Sequence, residues 1–233
     1  MTRVAVTTTA GRTAERVGGL VRAAGLEPVF LPCIEVVPSP EASLARFRAE
    51  ADTADWVVVT SVRVVQIVWA AGMPARPSVA AVGTATARAV RRAGGRPEVV
   101  GERGAGDLLR LLQGLVRGRK VVFPHAGAAD PEVARQLATE TGALVAGPVY
   151  DTVPVAPAAD PVEVVTFASP SAVQGWRLSR DLEGPTLAAM GPTTAAFLKS
   201  VGHPPRIVPS RTGFAALIAA VAEGLGTSER SRS

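Results

Sequence analysis

Short runs of apolar, mostly β-branched residues alternate along the chain with longer segments whose apolar positions recur at helical spacing. Such runs are typical of parallel strands that are buried on both faces. The longer segments are typical of the helices that cover those strands. The pattern predicts ten strands, at 4–7, 28–31, 56–60, 79–82, 97–100, 120–123, 143–146, 164–168, 186–190 and 206–208. It predicts nine helices, at 12–24, 44–51, 62–69, 84–93, 106–115, 131–141, 171–178, 193–201 and 213–225. The expected fold class is α/β, with parallel sheets that carry helices on both faces.

The second half of the chain repeats the first. An offset of 108 residues aligns the middle of the chain with its end, and an offset of 116 aligns the early segments, with one indel inside them. The matched pairs include Ser61 with Ser169, Gly83 with Gly191, Thr86 with Thr194, Gly11 with Gly127 and Pro32 with Pro148. Two duplicated halves therefore supply the strands and helices.

Composition narrows the class of protein. The 233 residues are 47% hydrophobic with a formal net charge of +5, as expected of a packed globular chain. The single cysteine, Cys33, and two distant histidines exclude an intramolecular disulfide and a cysteine-cluster metal site, so no metal is expected. No apolar run is long enough to span a membrane, and the N-terminus reads as a strand, so a cytoplasmic location without a membrane partner is expected.

Three arginines, at positions 88, 91 and 92, share one face of a predicted helix. They could contact phosphate groups, but aromatic residues are only 4% of the chain and no nucleic-acid motif accompanies the arginines. A solvated helix face is the favoured interpretation, and no nucleic-acid partner is expected.

Small and hydroxyl-bearing residues follow the predicted strands, where open α/β sheets bind ligands. Helix N-termini at these junctions present free N–H groups to anions. The candidate substrate-binding residues there are Thr8, Gly11, Ser61, Thr84, Thr86, Gly127, Ser169, Ser171, Thr193 and Thr194. Helix capping alone would explain any one junction, but six in one chain favour a binding cleft.

Several sites of known chemistry are missing from the sequence. The chain has no glycine-rich dinucleotide fingerprint, no phosphate-binding loop, no nucleophile elbow and no carboxylate pair at the junctions. No nucleotide cofactor is therefore expected, and any reaction needs little side-chain chemistry.

The segments Phe-Ala-Ser-Pro-Ser-Ala-Val at 167–173, Gly-Pro-Thr-Thr-Ala at 191–195 and Val-Tyr-Asp-Thr at 149–152 are the informative motifs. With them the chain resembles the uroporphyrinogen-III synthase family over nearly its whole length. The resemblance implies two flavodoxin-like lobes joined by a two-stranded linker, with the small-molecule substrate hydroxymethylbilane in the cleft between them. It implies cofactor-independent closure to uroporphyrinogen III with inversion of ring D, a step of heme, siroheme and cobalamin biosynthesis, carried out by a monomer.

The resemblance also implies how the lobes are assembled. Lobe A would combine residues 1–34 with 155–226, lobe B would be residues 39–150, and residues 35–38 and 151–154 would be the linker strands. The polar segment 227–233 is expected to be a disordered tail.

Tyr150 matches the family tyrosine proposed to assist loss of the substrate hydroxyl as water, although packing alone would also explain it. Residues 86, 169, 171, 193 and 194 match positions expected to hold substrate carboxylates. Thr8-Thr9 and His125 stand where many members have arginines, and Arg12, Arg63 or Arg177 could compensate. The alternative function is a non-catalytic two-lobed protein that binds an anionic tetrapyrrole or another acidic small molecule.

Overall fold

The computed structural model describes residues 1–230, and the side chains of residues 1–226. The chain divides into two compact units. Unit 1 combines residues 1–36 with the chain from residue 153 onward, and unit 2 is residues 37–152. Each unit is therefore built from pieces of both sequence halves.

Unit 1 contains a four-stranded parallel sheet in the order β10-β9-β1-β2. Its strands are β1 (Arg3–Val6), β2 (Glu27–Phe30), β9 (Val164–Phe167) and β10 (Thr186–Ala189). Its helices are α1 (Arg12–Ala23), α7 (Pro170–Trp176), α8 (Pro192–Ser200) and α9 (Phe214–Arg230). Val4 and Val6 pack in a core cluster with residues of α1 and α9, whereas Ala5 packs in a second cluster with residues of α7 and α8. Because alternate strand residues reach opposite faces, helices cover both faces of this sheet.

Unit 2 contains most of a six-stranded sheet in the order β3-β8-β7-β4-β5-β6. Its strands are β3 (Ile34–Pro38), β4 (Trp56–Val59), β5 (Ser78–Val82), β6 (Arg96–Gly101), β7 (Lys120–Ala126) and β8 (Ala143–Pro154). Its helices are α2 (Glu41–Asp52), α3 (Val62–Val68), α4 (Gly83–Arg92), α5 (Ala105–Leu112) and α6 (Pro131–Glu140). The strands from β8 to β6 pair in parallel.

The strands β3 and β8 lie side by side at one edge of the larger sheet, and each passes from one unit into the other. The Val155 amide donates to the Cys33 carbonyl at 2.9 Å, and the Ser39 amide donates to the Val149 carbonyl at 2.9 Å. Both bonds fit one antiparallel register. The chain therefore leaves and re-enters unit 1 through a paired ribbon.

The two sheets share one strand order, which explains the sequence repeat. The order β2-β1-β9-β10 in the first sheet corresponds to β8-β7-β4-β5-β6 in the second. The position of a fifth strand in unit 1 is held by Ile207, which forms a single parallel bridge to Ala188. This is the 2-1-3-4-5 order of doubly wound sheets of the flavodoxin type.

Two sequence-based assignments need correction. The predicted strand at 206–208 is reduced to the Ile207 bridge, because Pro204, Pro205 and Pro209 flank it and have no N–H group to extend the ladder. The helix α9 extends to Arg230, past the predicted helix end at residue 225. The predicted disorder of residues 227–233 stays a prediction, and residues 231–233 lie outside the described residues.

Candidate functional site

Each sheet has one point at which the strand order reverses, and ligands of such folds bind beyond the carboxyl ends of the strands that flank it. In unit 1 this switch point lies between β1 and β9, and in unit 2 between β7 and β4. The segments that follow these four strands begin at Thr7, Ala168, Gly127 and Thr60. Most of the sequence-predicted site residues lie at these ends or at the ends of β5 and β10.

In unit 2 the structure brings Ser61 and Tyr150 together. Ser61 is the N-cap of α3, and its Oγ accepts a hydrogen bond from the Val64 amide at 3.3 Å. The Tyr150 side chain is buried on β8, and its Oη lies 3.5 Å from Ser61 Oγ. A tyrosine hydroxyl and a serine hydroxyl therefore meet at the carboxyl end of β4.

A cation lies over the same phenol ring. The Arg63 guanidinium carbon is 5.6 Å from the centroid of the Tyr150 ring, within the range of a cation–π contact. Arg63 belongs to the first turn of α3, two residues after Ser61. One helix start therefore supplies both the hydroxyl and the cation that contact Tyr150.

Gly127 lies against the next residue of β8. A Cβ atom at Gly127 would be 1.7 Å from Asp151 Oδ1, so a larger residue at 127 would require this exposed carboxylate to move. The Gly127 amide already donates to the Tyr150 carbonyl at 2.8 Å. Gly127 thus contributes space and a fixed backbone for Tyr150 and Asp151, and its N–H group is occupied.

His125 makes two local contacts at the end of β7. Its Nδ1 lies 2.8 Å from the Ala126 carbonyl oxygen, and because a carbonyl only accepts, Nδ1 is the donor. The imidazole ring also packs against the Phe123 ring, with a centroid distance of 5.0 Å. Both contacts orient the imidazole through its own strand.

In unit 1 the switch point is lined by hydroxyl groups. The Thr7 hydroxyl donates to the Thr166 carbonyl at 2.6 Å, which ties the end of β1 to β9, and the next residue, Thr8, is buried. Ser169 is the N-cap of α7 and accepts from the Ala172 amide at 3.3 Å, as its repeat partner Ser61 does in unit 2. Gly11 is the exposed N-cap of α1 with a φ of 85°.

The remaining predicted site residues lie in first helical turns. Arg12 begins α1 and is exposed, and Ser171 lies half-buried in α7. In α4 and α8 the first turn presents one exposed and one buried threonine; the exposed ones are Thr84 and Thr193, and the buried ones are Thr86 and Thr194. The exposed pair is the more accessible to a ligand at those two junctions.

The Cys33 thiol is not a candidate nucleophile. Burial raises its pKa to about 12, and its Sγ donates to the Leu31 carbonyl at 3.3 Å. Because the thiolate is the nucleophilic form, Cys33 is an inert core residue, as its apolar sequence neighbours predict.

Two cavities of the described units lie away from the switch points. One of about 250 Å³ lies between α5 and α6 with an apolar floor that includes Leu109, Leu112 and Leu137. Another of about 300 Å³ borders Trp176 and Arg180, and the Arg180 guanidinium donates to the carbonyls of Ala158 and Asp160 at 3.0 and 2.6 Å. Neither cavity is lined by a predicted site residue.

Two neighbours of Tyr150 are not among the residues that the sequence predicts for the site. The sequence marks Arg63 only as a substitute cation for the substrate, and it does not mark Asp151. The spacing Ser61-x-Arg63 at a helix start places both side chains in one turn, but their contact with β8 depends on tertiary structure. Asp151 could have been found as the residue that follows Tyr150 on a strand and therefore points to the other side.

Comparison with known proteins decides the family. The family model described as "Uroporphyrinogen-III synthase HemD" matches residues 15–219. The chain belongs to the uroporphyrinogen-III synthase family. Its activity is accordingly that of a uroporphyrinogen-III synthase, a lyase-type cyclisation of a small-molecule substrate. No match among curated proteins was found.

Solved structures share the fold. A uroporphyrinogen-III synthetase from Helicobacter pylori has a TM-score of 0.67 at 15% identity, over 97% of this chain and 100% of that chain. A mutant uroporphyrinogen III synthase from the extremely thermophilic bacterium Thermus thermophilus has a TM-score of 0.63 at 21% identity, over 97% of this chain and 100% of that chain. These likenesses confirm the predicted α/β class with two parallel-dominated sheets flanked by helices. In the described part of the chain, no helix is long and apolar enough to cross a membrane.

Proposed function

We propose that the chain converts hydroxymethylbilane to uroporphyrinogen III with inversion of ring D, and that Tyr150 is its catalytic residue. The supporting observation is that the Tyr150 hydroxyl lies 3.5 Å from Ser61 Oγ at the switch point of unit 2. Family membership gives the reaction, and this pair places a proton donor at that switch point. The alternative of a non-catalytic tetrapyrrole-binding protein has no support from the comparisons.

The chemistry asked of Tyr150 is one proton transfer. The C–O bond of the hydroxymethyl group breaks, its electron pair leaves with the oxygen, and the phenol proton completes a water molecule. The carbon left behind is a cation stabilised by its pyrrole nitrogen. Ring D attacks this carbon with a π-electron pair, which gives the spiro intermediate that fragments and recloses. The proton lost when the last ring regains aromaticity restores the phenol, so hydroxymethylbilane becomes uroporphyrinogen III plus water.

Substrate binding in this proposal uses hydroxyl groups and helix N-termini. Every pyrrole of the substrate carries carboxylates, which amide and hydroxyl donors at helix starts can bind. The exposed or half-buried residues of the predicted set suit this role; they are Gly11, Arg12, Ser61, Thr84, Ser169, Ser171 and Thr193. When the substrate carboxylates are bound, only one position of ring D can reach the carbon cation of the substrate. Binding therefore prevents direct closure of the substrate without inversion of ring D.

We also propose a cytoplasmic monomer. Support for the location comes from Cys33, which is a free, buried thiol, as is common in reducing compartments. Sedimentation equilibrium measures the oligomeric state, and a mass of twice 23.9 kDa would refute the monomer.

Turnover of hydroxymethylbilane tests the proposed function. The expected product is uroporphyrinogen III, separated by chromatography from isomer I, which forms without enzyme. We expect Tyr150→Phe to lower kcat on the order of 10²-fold with little change in KM. Isomer I alone, at the uncatalysed rate, would refute the proposed function; full activity of Tyr150→Phe would refute the role of Tyr150.

A further inference from the structure

The Tyr150 hydroxyl is held weakly by its hydrogen bond. The distance of 3.5 Å to Ser61 Oγ is well beyond the usual range of O–H···O bonds. A weak bond at the tip of a side chain sets the direction of a hydroxyl poorly unless the ring itself is held. Catalysis by a positioned acid depends on that direction.

Arg63 is placed to hold the ring. Its guanidinium lies over the Tyr150 ring at 5.6 Å, and the start of α3 fixes its backbone next to the Ser61 cap. The bond from the Val64 amide to Ser61 Oγ keeps this helix start in register. Ser61 therefore contacts the hydroxyl while Arg63 covers the ring face, and both positions are set by a single helical turn.

We propose that Arg63 is a positioning residue for Tyr150, which holds the phenol ring against the Ser61 cap and favours release of its proton. This inference deepens the proposed function and rests on it. A guanidinium is a planar cation that stacks on the faces of aromatic rings. When the phenol gives its proton to the departing hydroxyl, negative charge develops on Oη, and the cation over the ring stabilises that charge.

A double-mutant cycle separates this role from general packing. We expect Arg63→Gln to lower kcat about ten-fold with KM nearly unchanged, and Arg63→Lys to restore part of the loss. In the Tyr150→Phe background, where no phenol proton remains, Arg63→Gln should change kcat by less than about two-fold. Arg88→Gln removes an exposed arginine of α4 in the same unit and serves as the matched control, with activity unchanged.

Tyr150 is the single tyrosine of the chain, which gives a readout without substrate. With ring-¹³C-labelled tyrosine, the NMR spectrum contains the signals of one phenol. We expect Arg63→Gln to shift these signals and Arg88→Gln to leave them in place, with both variants unfolding at the same temperature as the parent.

The outcomes separate the two proposals. Equal kcat losses from Arg63→Gln in the two backgrounds, a KM effect without a kcat effect, or unmoved tyrosine signals would each overturn the role of Arg63 while leaving the proposed function intact. Absence of turnover in the parent chain would refute the proposed function and the positioning role of Arg63 together, and shifted signals would then establish a contact that is structural only.

Discussion

At the scale of single residues, burial gives Cys33 a measurable effect on stability. Its thiol pKa is raised to about 12, whereas an unfolded thiol titrates near ~8.5. Between these values the folded chain keeps a proton that the unfolded chain has lost. The stability contributed by Cys33 is therefore fully present below about pH 8.5 and is lost as the pH rises toward 12.

Comparison of the parent with Cys33→Ala isolates this effect, because all other groups titrate in both proteins. We expect the stability advantage of the parent to shrink by about 2 kcal/mol between about pH 7.5 and about pH 10. Urea unfolding at the two pH values measures it. An advantage that is the same at both would mean that the folded thiol ionises as easily as the unfolded one.

Two buried indoles differ in what their N–H groups contact. Trp176 Nε1 donates to the Asp181 carbonyl at 2.8 Å, and the indole also meets the Phe167 ring edge-on. Trp69 Nε1 has no acceptor among the described residues, although it is buried. Because an unsatisfied buried donor is costly, we expect Trp69→Phe to lose at least ~1 kcal/mol less stability than Trp176→Phe. Urea unfolding of both variants decides this, and equal losses would contradict it.

Sequence patterns could identify some site residues because their geometry is local. Ser61 and Ser169 precede apolar helical segments, and both cap their helices by accepting from the amide three residues on. The contacts of Arg63 with Tyr150 and of Asp151 with Gly127 join segments far apart in the chain. No local spacing encodes such contacts, so the site could be predicted only as a set of junctions.

At the scale of elements, the helix α7 packs without clearance on the end of the paired ribbon that lies in unit 1, where Cys33 precedes β3 and Val155 follows β8. A Cβ atom at Gly175 would lie 1.8 Å from the Cys33 carbonyl oxygen and 2.8 Å from that of Val155. These oxygens belong to backbone and cannot move as a side-chain tip would. We expect Gly175→Ala to destabilise the chain by roughly 1–3 kcal/mol or more, because the helix must shift away from the ribbon.

The control for this substitution is Gly19→Ala in α1, where a Cβ atom would meet nothing within 4 Å. Here the change should stabilise by roughly 0.5–1 kcal/mol, because alanine favours helix over glycine. Thermal unfolding of the two variants measures the difference. A stabilised Gly175→Ala protein would show that α7 does not contact the ribbon closely.

Most elements could be predicted because the apolar periods of this chain are clear. All nine predicted helices are present, with ends displaced by a few residues in most. The predictions that differ from the structure lie where flanking residues or a paired strand override the local pattern. Residues 206–208 include two β-branched residues, which favour a strand, but they lie between prolines. The strand β8 continues through the turn-like Gly147-Pro148 pair because β7 pairs with it as far as Tyr150.

At the scale of the whole molecule, duplication explains both what the sequence could predict and what it could not. Equivalent segments of the two halves form equivalent strands, which self-comparison reveals. The assignment of strands to sheets is a different matter, because β4 could pair with β1 of its own half or with β7 of the other. Either pairing buries the same β-branched residues, so the apolar pattern does not distinguish them, and only the resemblance predicted the exchange.

The net charge of the whole molecule affects substrate binding. The protein carries a net charge of +5, which attracts the anionic substrate. We expect KM for hydroxymethylbilane to rise when salt is increased, because the Debye length shrinks to ~3 Å at about 1 M. Initial rates at low and high ionic strength measure this, with kcat as the internal control. A KM that does not respond to salt would mean that neutral donors, not charge, bind the carboxylates.

Fragment folding tests the exchange of segments between units. Residues 37–152 hold five parallel strands with the helices that cover them. Residues 1–118 hold one sequence repeat but lack β7 and β9, the central strands that pair with β4 and β1. Their loss exposes apolar strand edges and helix faces, which promote aggregation. We expect the 37–152 fragment to unfold cooperatively in urea and the 1–118 fragment to show no cooperative transition. The opposite pair of results would show that each half of the sequence folds as its own unit.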